Sequence, residues 1–139
     1  MQPGVSYCTL DFGADRFHRL ARELGVTGFG LNLMVLAPGQ RGRIHSHERQ
    51  EEVYVVLEGE LTLAVAGEER TLPRGDAARV APDVRRQLSN RRPERCVLLA
   101  IGGAARHEGR DGVAFESWDA AEGRPPQEVP LPPDLPVRA

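Results

Sequence analysis

The chain has 139 residues, of which 40% are hydrophobic and 27% are charged, values that are typical of one soluble globular domain. Its formal net charge of −2 gives the whole molecule no attraction for a polyanion such as nucleic acid, and no run approaches the ~18 apolar residues of a membrane-spanning helix. The first residues lack the pattern of a signal peptide, so we expect a cytoplasmic protein in which Cys8 and Cys96 are reduced core residues.

The first predicted elements lie in residues 1–26, to which we assign an N-terminal strand and one short amphipathic helix. Phe17, Leu20, Ala21 and Leu24 recur at helical spacing, and Gly25 is placed to end the helix. His18 falls on the polar side of this helix, so we expect an exposed surface histidine and no ligand role.

Residues 27–102 alternate short apolar runs with glycine and proline breaks, which is typical of many short strands in an all-β barrel or sandwich. Eight strand candidates fit two facing sheets: "TGFGLNLMVL", "RIHSH", "EVYVVL", "ELTLAVA", "ERTL", "DAARVA", "VRRQLSN" and "RCVLLAIG". No pair of helices suited to DNA binding is visible, and we predict no nucleic-acid or membrane partner.

After residue 102 the composition changes to Gly, Arg, Pro and acids, which predicts an extended C-terminal arm over residues 103–139. Phe115 and Trp118 are candidates to anchor the start of this arm against the barrel or a partner, because large aromatic residues in a polar tail usually have a packing site. His107 lies in the same region, and we treat it as incidental.

One stretch carries metal-ligand chemistry. His45 and His47 are two residues apart and therefore project from one face of a strand, and an antiparallel neighbour can set Glu52 across from them. Two imidazoles and a carboxylate suit a divalent iron, manganese, nickel or zinc ion with coordination positions left open. The spacing alone is equally compatible with an exposed His-x-His pair in a polar turn.

The same stretch resembles the first motif of the cupin superfamily, which runs Gly, five residues, His-x-His, three or four residues, Glu, six residues, Gly. Gly39, His45, His47, Glu52 and Gly59 fill every position. The resemblance implies a double-stranded β-helix, a small jelly-roll barrel with its site inside, and it makes His45, His47 and Glu52 the expected metal ligands.

The second cupin motif is also present, with one departure. Its turn and end residues correspond to Pro73, Gly75, Asp76, Pro82 and Asn90. The histidine expected four residues before Asn90 is replaced by Arg86, which cannot donate a lone pair to a metal. A fixed cation about 5 Å from a metal would oppose its binding by about 3 kcal/mol per unit of metal charge, at an effective dielectric constant of roughly 20. The substitution therefore predicts a weakened or absent metal.

Three interpretations of Arg86 remain open from the sequence. The guanidinium could pair with Glu52 in a metal-free pocket. It could point away and leave a centre with three ligands. It could also bind the carboxylate or phosphate of a ligand beside the metal, which would make Arg86 a ligand-binding residue.

Two main functions are compatible with these interpretations. If metal is bound, the protein is a metalloenzyme that acts on a small polar or anionic organic molecule, with Tyr54 as a candidate proton donor; the cupin resemblance implies a dioxygenase, isomerase or decarboxylase. If no metal is bound, it is a metal-free ligand-binding or sensory module. A storage or purely structural role is the weakest hypothesis.

Several strands are apolar on both faces, and only one face can fill the barrel. Val53 and Val55 alternate with Tyr54 and Val56 in this way. Because exposed apolar strand surface favours association, we predict a homodimer.

Overall fold

The computed structural model describes residues 3–103 and 111–137, which form two antiparallel sheets facing each other. The elements in chain order are β1 (Arg16–His18), α1 (Leu20–Leu24), β2 (Gly30–Leu36), β3 (Ile44–His47), β4 (Glu51–Glu58), β5 (Glu60–Val65), β6 (Glu68–Pro73), β7 (Ala77–Val80), β8 (Arg86–Ser89), β9 (Cys96–Gly103), β10 (Gly112–Phe115) and a 3₁₀ helix (Pro126–Glu128). One sheet has the order β1-β2-β9-β4-β7 and the other β10-β3-β8-β5-β6. This is the jelly-roll arrangement that the sequence predicts.

All eight predicted strands are confirmed as β2 to β9, because their alternating side chains fill the space between the sheets. Tyr54 and Val56 of β4 are buried inside, together with Leu36 and Leu98 of the same sheet and Leu88 of the facing sheet. Hydrophobic burial of this kind is the main favourable contribution to folding, about 25 cal/mol for each Å² of apolar surface removed from water. The barrel interior is therefore the principal core of the molecule.

The predicted helix is much shorter than its spacing indicated. Only Leu20–Leu24 is helical, and Gly25 ends it in a left-handed conformation with φ of 78°. Phe17 and His18 belong instead to β1, which pairs with β2 through Phe17↔Met34 and its neighbours. Pairing with a sheet edge gives hydrogen-bond partners to backbone groups that would lack them in a helix of this length.

His18 is half-buried, which corrects the prediction of an exposed side chain. Its Nδ1 accepts a hydrogen bond from the Asp11 backbone N–H over 3.1 Å, and its Nε2 contacts the Glu23 carboxylate. The three residues hold the N-terminal segment to the start of the helix. His18 therefore has a local structural partner and lies outside the pocket described below.

The outer face of the first sheet is covered by the N-terminal segment of the same chain. Leu33, Val35 and Val97 pack there against Leu20, and Phe12, Cys8 and Leu24 extend the cluster. Intrachain cover thus protects part of the apolar surface from which the homodimer was predicted, and the homodimer stays a prediction. Both cysteines are free, and burial raises the pKa of Cys96 to about 12.

The C-terminal segment contributes a strand that the sequence reading missed. β10 adds to the edge of the second sheet by pairing with β3, as in Ala114↔His45. Further along, the Leu135 N–H donates to the Gly39 carbonyl over 2.8 Å. Phe115 is buried beneath the guanidinium of Arg85, which lies 3.7 Å from the ring centre. His107 is outside the described residues, and the proposed division at residues 26 and 102 stays a prediction.

Within residues 3–103 and 111–137, no helix has the length and apolar character needed to cross a membrane.

Candidate metal centre

The two predicted histidines and the predicted glutamate meet between the sheets. β3 carries His45 and His47 on one face, and Glu52 stands near the start of β4 in the opposite sheet. One donor atom from each of the three residues lies within 4.8 Å of the others. The alternative of an exposed His-x-His turn is therefore wrong, and the convergence predicted from the spacing is confirmed.

The distances within this group suit ligands of one ion. Glu52 Oε1 lies 3.4 Å from His45 Nε2 and 3.2 Å from His47 Nε2. Ligand atoms at about 2.1 Å from one ion are about 3.0 Å apart at a right angle and about 3.4 Å apart at a tetrahedral angle. The three side chains therefore fit a divalent transition metal, and they would leave its other coordination positions open.

Hydrogen bonding at His45 supports the same fit. Its Nδ1 lies 3.2 Å from the Arg43 carbonyl oxygen, which can only accept, so Nδ1 carries the proton. A neutral ring then presents a lone pair at Nε2, and this lone pair faces another acceptor, Glu52 Oε1. A cation between the two atoms would satisfy both of them.

His47 has buried nitrogens with no hydrogen-bond partner in the described part of the chain. Asp111 Oδ2 lies 3.6 Å from its Nδ1, beyond hydrogen-bond length but close enough for electrostatic attraction. The Asp111 carboxylate is itself buried and accepts hydrogen bonds from the backbone N–H groups of Arg49 and Gln50. An imidazole nitrogen that is buried without a partner costs free energy unless a ligand satisfies it.

Arg86 lies beside this group and is fully buried, with 0% of its surface exposed. It stands directly opposite His45 in the pairing of β3 with β8. Its Nη2 donates to Glu52 Oε1 over 2.7 Å, its Nε to the Tyr54 hydroxyl over 3.2 Å, and its Nη1 to the Val84 carbonyl over 2.8 Å. The guanidinium thus pairs with Glu52, as the first of the three interpretations has it.

The predicted role of Arg86 as the anchor of an anionic ligand stays a prediction. All three of its nitrogens already have protein partners, and Nη1 also lies within 3.4 Å of the carbonyl oxygens of Ala81 and Pro82. Glu52 and Tyr54 raise the pKa of Arg86 although burial opposes this. The side chain therefore remains a cation and holds the Glu52 carboxylate in place.

Tyr54 completes the network from β4. Its hydroxyl donates to Glu52 Oε1. Burial, with the neighbouring Glu52 charge, raises the pKa of Tyr54 well above its ordinary value, so the phenol stays protonated. Burial alone would raise the pKa of Glu52, but the adjacent imidazoles of His45 and His47 hold that pKa well below its usual range. Glu52 is therefore an ionised carboxylate, and the proton-donor role of Tyr54 stays a prediction.

A cavity of about 930 Å³ opens onto these side chains. Its walls include the apolar residues Met34, Leu36, Leu88 and Ala100, together with His45, His47, Glu52 and Tyr54. Residues 123–127 and Leu131 of the C-terminal segment form another part of the wall. The volume is within the range of small-molecule sites, roughly 300 to 1,000 Å³.

Three residues near the centre or in its cavity were missed by the sequence reading. Asp111 belongs to a segment without strand or helix period, so no pattern connects it with His47. Arg43 is two residues before His45 and shares its strand face, a signal that was available. Arg16 lines the cavity from a stretch that was predicted to be helical.

Comparisons with known proteins agree with the geometry. A family model described as "Cupin domain" matches residues 32–102. Among solved structures, a cupin protein from Bacteroides fragilis is 28% identical, with a TM-score of 0.66, over 78% of this chain and 92% of the other. A Cupin 2 conserved barrel domain protein from Salinispora arenicola is 25% identical, with a TM-score of 0.64, over 73% and 91%.

A third similar structure carries a functional description. It is described as a sugar phosphate isomerase from Silicibacter pomeroyi, is 26% identical and has a TM-score of 0.61, over 84% of this chain and 79% of the other. No protein with a curated description matches the sequence.

Proposed function

Because the chain belongs to the cupin domain family, we propose that it binds a divalent transition metal through His45, His47 and Glu52 and acts on a small polar or anionic organic molecule. The observation that carries this proposal is the pair of imidazoles at the centre. His47 Nε2 is buried without a hydrogen-bond partner, and His45 Nε2 faces an acceptor oxygen. A metal ion bound between them would satisfy both atoms.

A bound metal of this kind would act as a Lewis acid that polarises a hydroxyl or carbonyl oxygen of the substrate. The chain's own residues supply the surroundings. Arg86 and Tyr54 fix the orientation of Glu52, and Met34, Leu36 and Leu88 contribute apolar surface to the cavity wall. Preorganised polar groups beside apolar surface stabilise charge that develops in a reaction.

Among the reactions that the family offers, we favour isomerisation of a small phosphorylated sugar. The similar structure from Silicibacter pomeroyi, described as a sugar phosphate isomerase, supports this choice over a dioxygenase or a decarboxylase. Its likeness extends over most of both chains and includes the barrel. The Tyr54 hydroxyl, buried and protonated beside the centre, is the candidate proton donor.

A second function, a metal-free binding module, is favoured by one observation. Arg86 already neutralises Glu52 over 2.7 Å, so the charge of Glu52 is balanced without a metal. In this case the imidazoles would form hydrogen bonds with a ligand. The two functions make opposite predictions about metal content.

Elemental analysis of protein purified without an affinity tag tests the proposal. We expect about one equivalent of iron, manganese, nickel or zinc per chain. His47→Ala should weaken metal binding by at least about a hundredfold, since loss of even an outer-shell partner can cost 10- to 100-fold. His18→Ala is the matched control, because His18 is half-buried and bound to Glu23 away from the pocket, and it should bind metal like the wild type.

Absence of metal from the wild type, even after each of the four ions is added in turn, would favour the metal-free module. Equal metal content in the His47→Ala and wild-type proteins would assign the metal to another site.

A further inference from the structure

The cavity that holds the candidate ligands is also lined by Arg16, Arg43 and Arg124, which are not part of the network around Glu52. Arg16 stands at the start of β1, and Arg43 stands just before β3. We propose that Arg16 and Arg43 form an anion-binding subsite that holds the phosphate or carboxylate group of the substrate. This subsite rests on the proposed function, in which the other end of the substrate reacts at the metal.

Arg43 is placed by the same alternation that places the histidines. Residues 43, 45 and 47 follow one another at a spacing of two, and all three line the cavity. The Nε of Arg43 donates to the Val129 carbonyl over 2.6 Å, which fixes the half-buried guanidinium through one of its nitrogens. No partner for its other two nitrogens occurs within residues 3–103 and 111–137.

Arg16 reaches the cavity through an unusual backbone. Its φ of 70° lies in the left-handed region, which costs a residue with a side chain about 1 to 2 kcal/mol. Consecutive strand residues normally point to opposite faces, yet Arg16 and Phe17 both line the cavity. Nη1 of Arg16 donates to the Arg41 carbonyl over 3.0 Å, which holds the side chain in a half-buried position.

The charges of the cavity wall leave these two cations unbalanced. Surface arginines such as Arg79 and Arg95 lie 2.6 Å from a carboxylate. In the described ranges, neither Arg16 nor Arg43 has a carboxylate within 4.0 Å.

The remaining charged residues of the wall do not balance them either. Glu52 is paired with Arg86, and Arg124 lies 3.5 Å from Glu116. Among the described wall residues, the exposed Glu48 is then the one acid left to offset Arg16 and Arg43, and a bound metal would add further positive charge to the cavity. The excess positive charge favours an anionic ligand.

The chemistry of guanidinium groups defines the ligand class. Arginine binds phosphate and carboxylate oxygens through a planar fork of donors, often two bonds at a time. The wall also carries apolar side chains, including Met34, Leu36 and Leu88. The ligand is therefore a small organic molecule with an anionic group at one end and a hydroxyl or carbonyl group at the other. A sugar phosphate has this form.

Calorimetric titration with three probes tests the subsite: inorganic phosphate, glycerol 3-phosphate and succinate. We expect Arg16→Gln and Arg43→Gln each to weaken anion binding by at least about tenfold. The control Arg70→Gln removes the same charge from an exposed position of β6 that does not line the cavity, and it should bind like the wild type. Tighter binding of the two phosphates than of succinate identifies a phosphate subsite, and the reverse order identifies a carboxylate subsite.

Metal affinity, measured separately by chelator competition, distinguishes failure of the subsite from failure of the proposed function. Anion binding that is unchanged in both arginine variants, or equally weakened by Arg70→Gln, overturns the subsite whatever the metal result. If the two arginine variants bind anions more weakly but the wild type takes no metal, the subsite is supported and the metal-dependent function is overturned.

Thermal melting shows whether each variant folds. Should Arg43→Gln unfold, Arg43→Lys retains the charge and loses the planar fork. In that variant we expect weakened binding of all three probes, and wild-type binding would overturn the role of Arg43.

Discussion

The two motif segments of the barrel, residues 39–59 and 73–90, share a backbone plan and differ in chemistry. Each begins with a turn at a glycine of positive φ, 83° at Gly39 and 91° at Gly75. Their strands β3 and β8 pair so that His45 and Arg86 stand directly opposite each other. The first segment contributes three metal-ligand side chains to the pocket, whereas the second contributes a buried cation that binds one of them.

This difference shows that the fold and the site depend on separate residues. Turn glycines and buried backbone partners such as Asn90 define the barrel in both segments, so replacement of a site residue leaves the strands in place. The chemistry can therefore change at one position, Arg86, without loss of the architecture. Substitutions in the two classes of residue should have separable effects.

The largest effect is expected at Gly59, one of the turn glycines that define the barrel. A Cβ added there would lie 2.3 Å from the Arg95 carbonyl oxygen, and the φ of 75° is strained for any other residue. Gly59→Ala should lower the free energy of unfolding by about 4 kcal/mol, the sum of backbone strain and overpacking. Urea denaturation followed by circular dichroism measures the change.

Gly67→Ala is the matched control, because Gly67 has a φ of 81° but no atom within 4 Å of an added Cβ. It should cost only the strain, about 1 to 2 kcal/mol. Equal losses of unfolding free energy in the two variants would show that the close approach of Arg95 does not add to the cost.

Asn90 is the residue of the second segment that, like Gly59 in the first, defines the barrel. Its side-chain amide donates to the carbonyls of Leu36 and Glu94, over 2.9 and 2.8 Å, and its oxygen accepts from the Arg92 N–H. Asn90→Ala removes all three hydrogen bonds, of which the one to Leu36 is buried, and should lower the free energy of unfolding by roughly 2 to 3 kcal/mol. Metal affinity, in contrast, should stay within about twofold of the wild type, since Asn90 does not touch the candidate ligands.

The other asparagine, Asn32, is the control for this loss. It is half-buried in β2 and makes no side-chain hydrogen bond within the described residues. Asn32→Ala should change stability by less than about 0.5 kcal/mol. A loss as large as that of Asn90→Ala would indicate that strand propensity, and not the amide network, accounts for both effects.

Local patterns predicted the parts of this molecule that local chemistry determines. Strand alternation and the two motifs predicted β2 to β9, the convergence of His45, His47 and Glu52, and the position of Arg86 beside them. The same reasoning failed for the stretch around Phe17, where pairing with β2 replaced the helix that the spacing indicated. Short edge strands have little pattern of their own, so β1 and β10 depend on contacts distant in sequence.

The partners of the site residues were also beyond local patterns. Asp111 approaches His47 only because β10 pairs with β3, and nothing in the C-terminal composition indicates that pairing. The hydrogen bonds from Arg86 to the Val84 carbonyl and to Tyr54 depend on the path of the chain between β7 and β8. Sequence could place the guanidinium near Glu52 but left its orientation open.

The smallest of these expected effects is the change in metal affinity when Arg86 is replaced. Arg86→His would restore three histidines and one glutamate, removing a buried cation and adding a neutral donor. The repulsion of about 3 kcal/mol per unit of metal charge, discounted severalfold for screening and movement, still leaves a gain in metal affinity of at least about tenfold, or about 1.4 kcal/mol. Competition with a chelator above pH ~7, where imidazoles are mostly neutral, measures the gain.

Arg86→Met is the companion variant, because it removes the cation without adding a donor and so separates repulsion from coordination. Both variants withdraw a donor from the Val84 carbonyl and the partner of Glu52, so a thermal melt must first show that they fold. A gain only in Arg86→His would assign the effect to the new imidazole, a similar gain in both would assign it to the lost charge, and wild-type affinity in both folded variants would show that Arg86 does not oppose the metal.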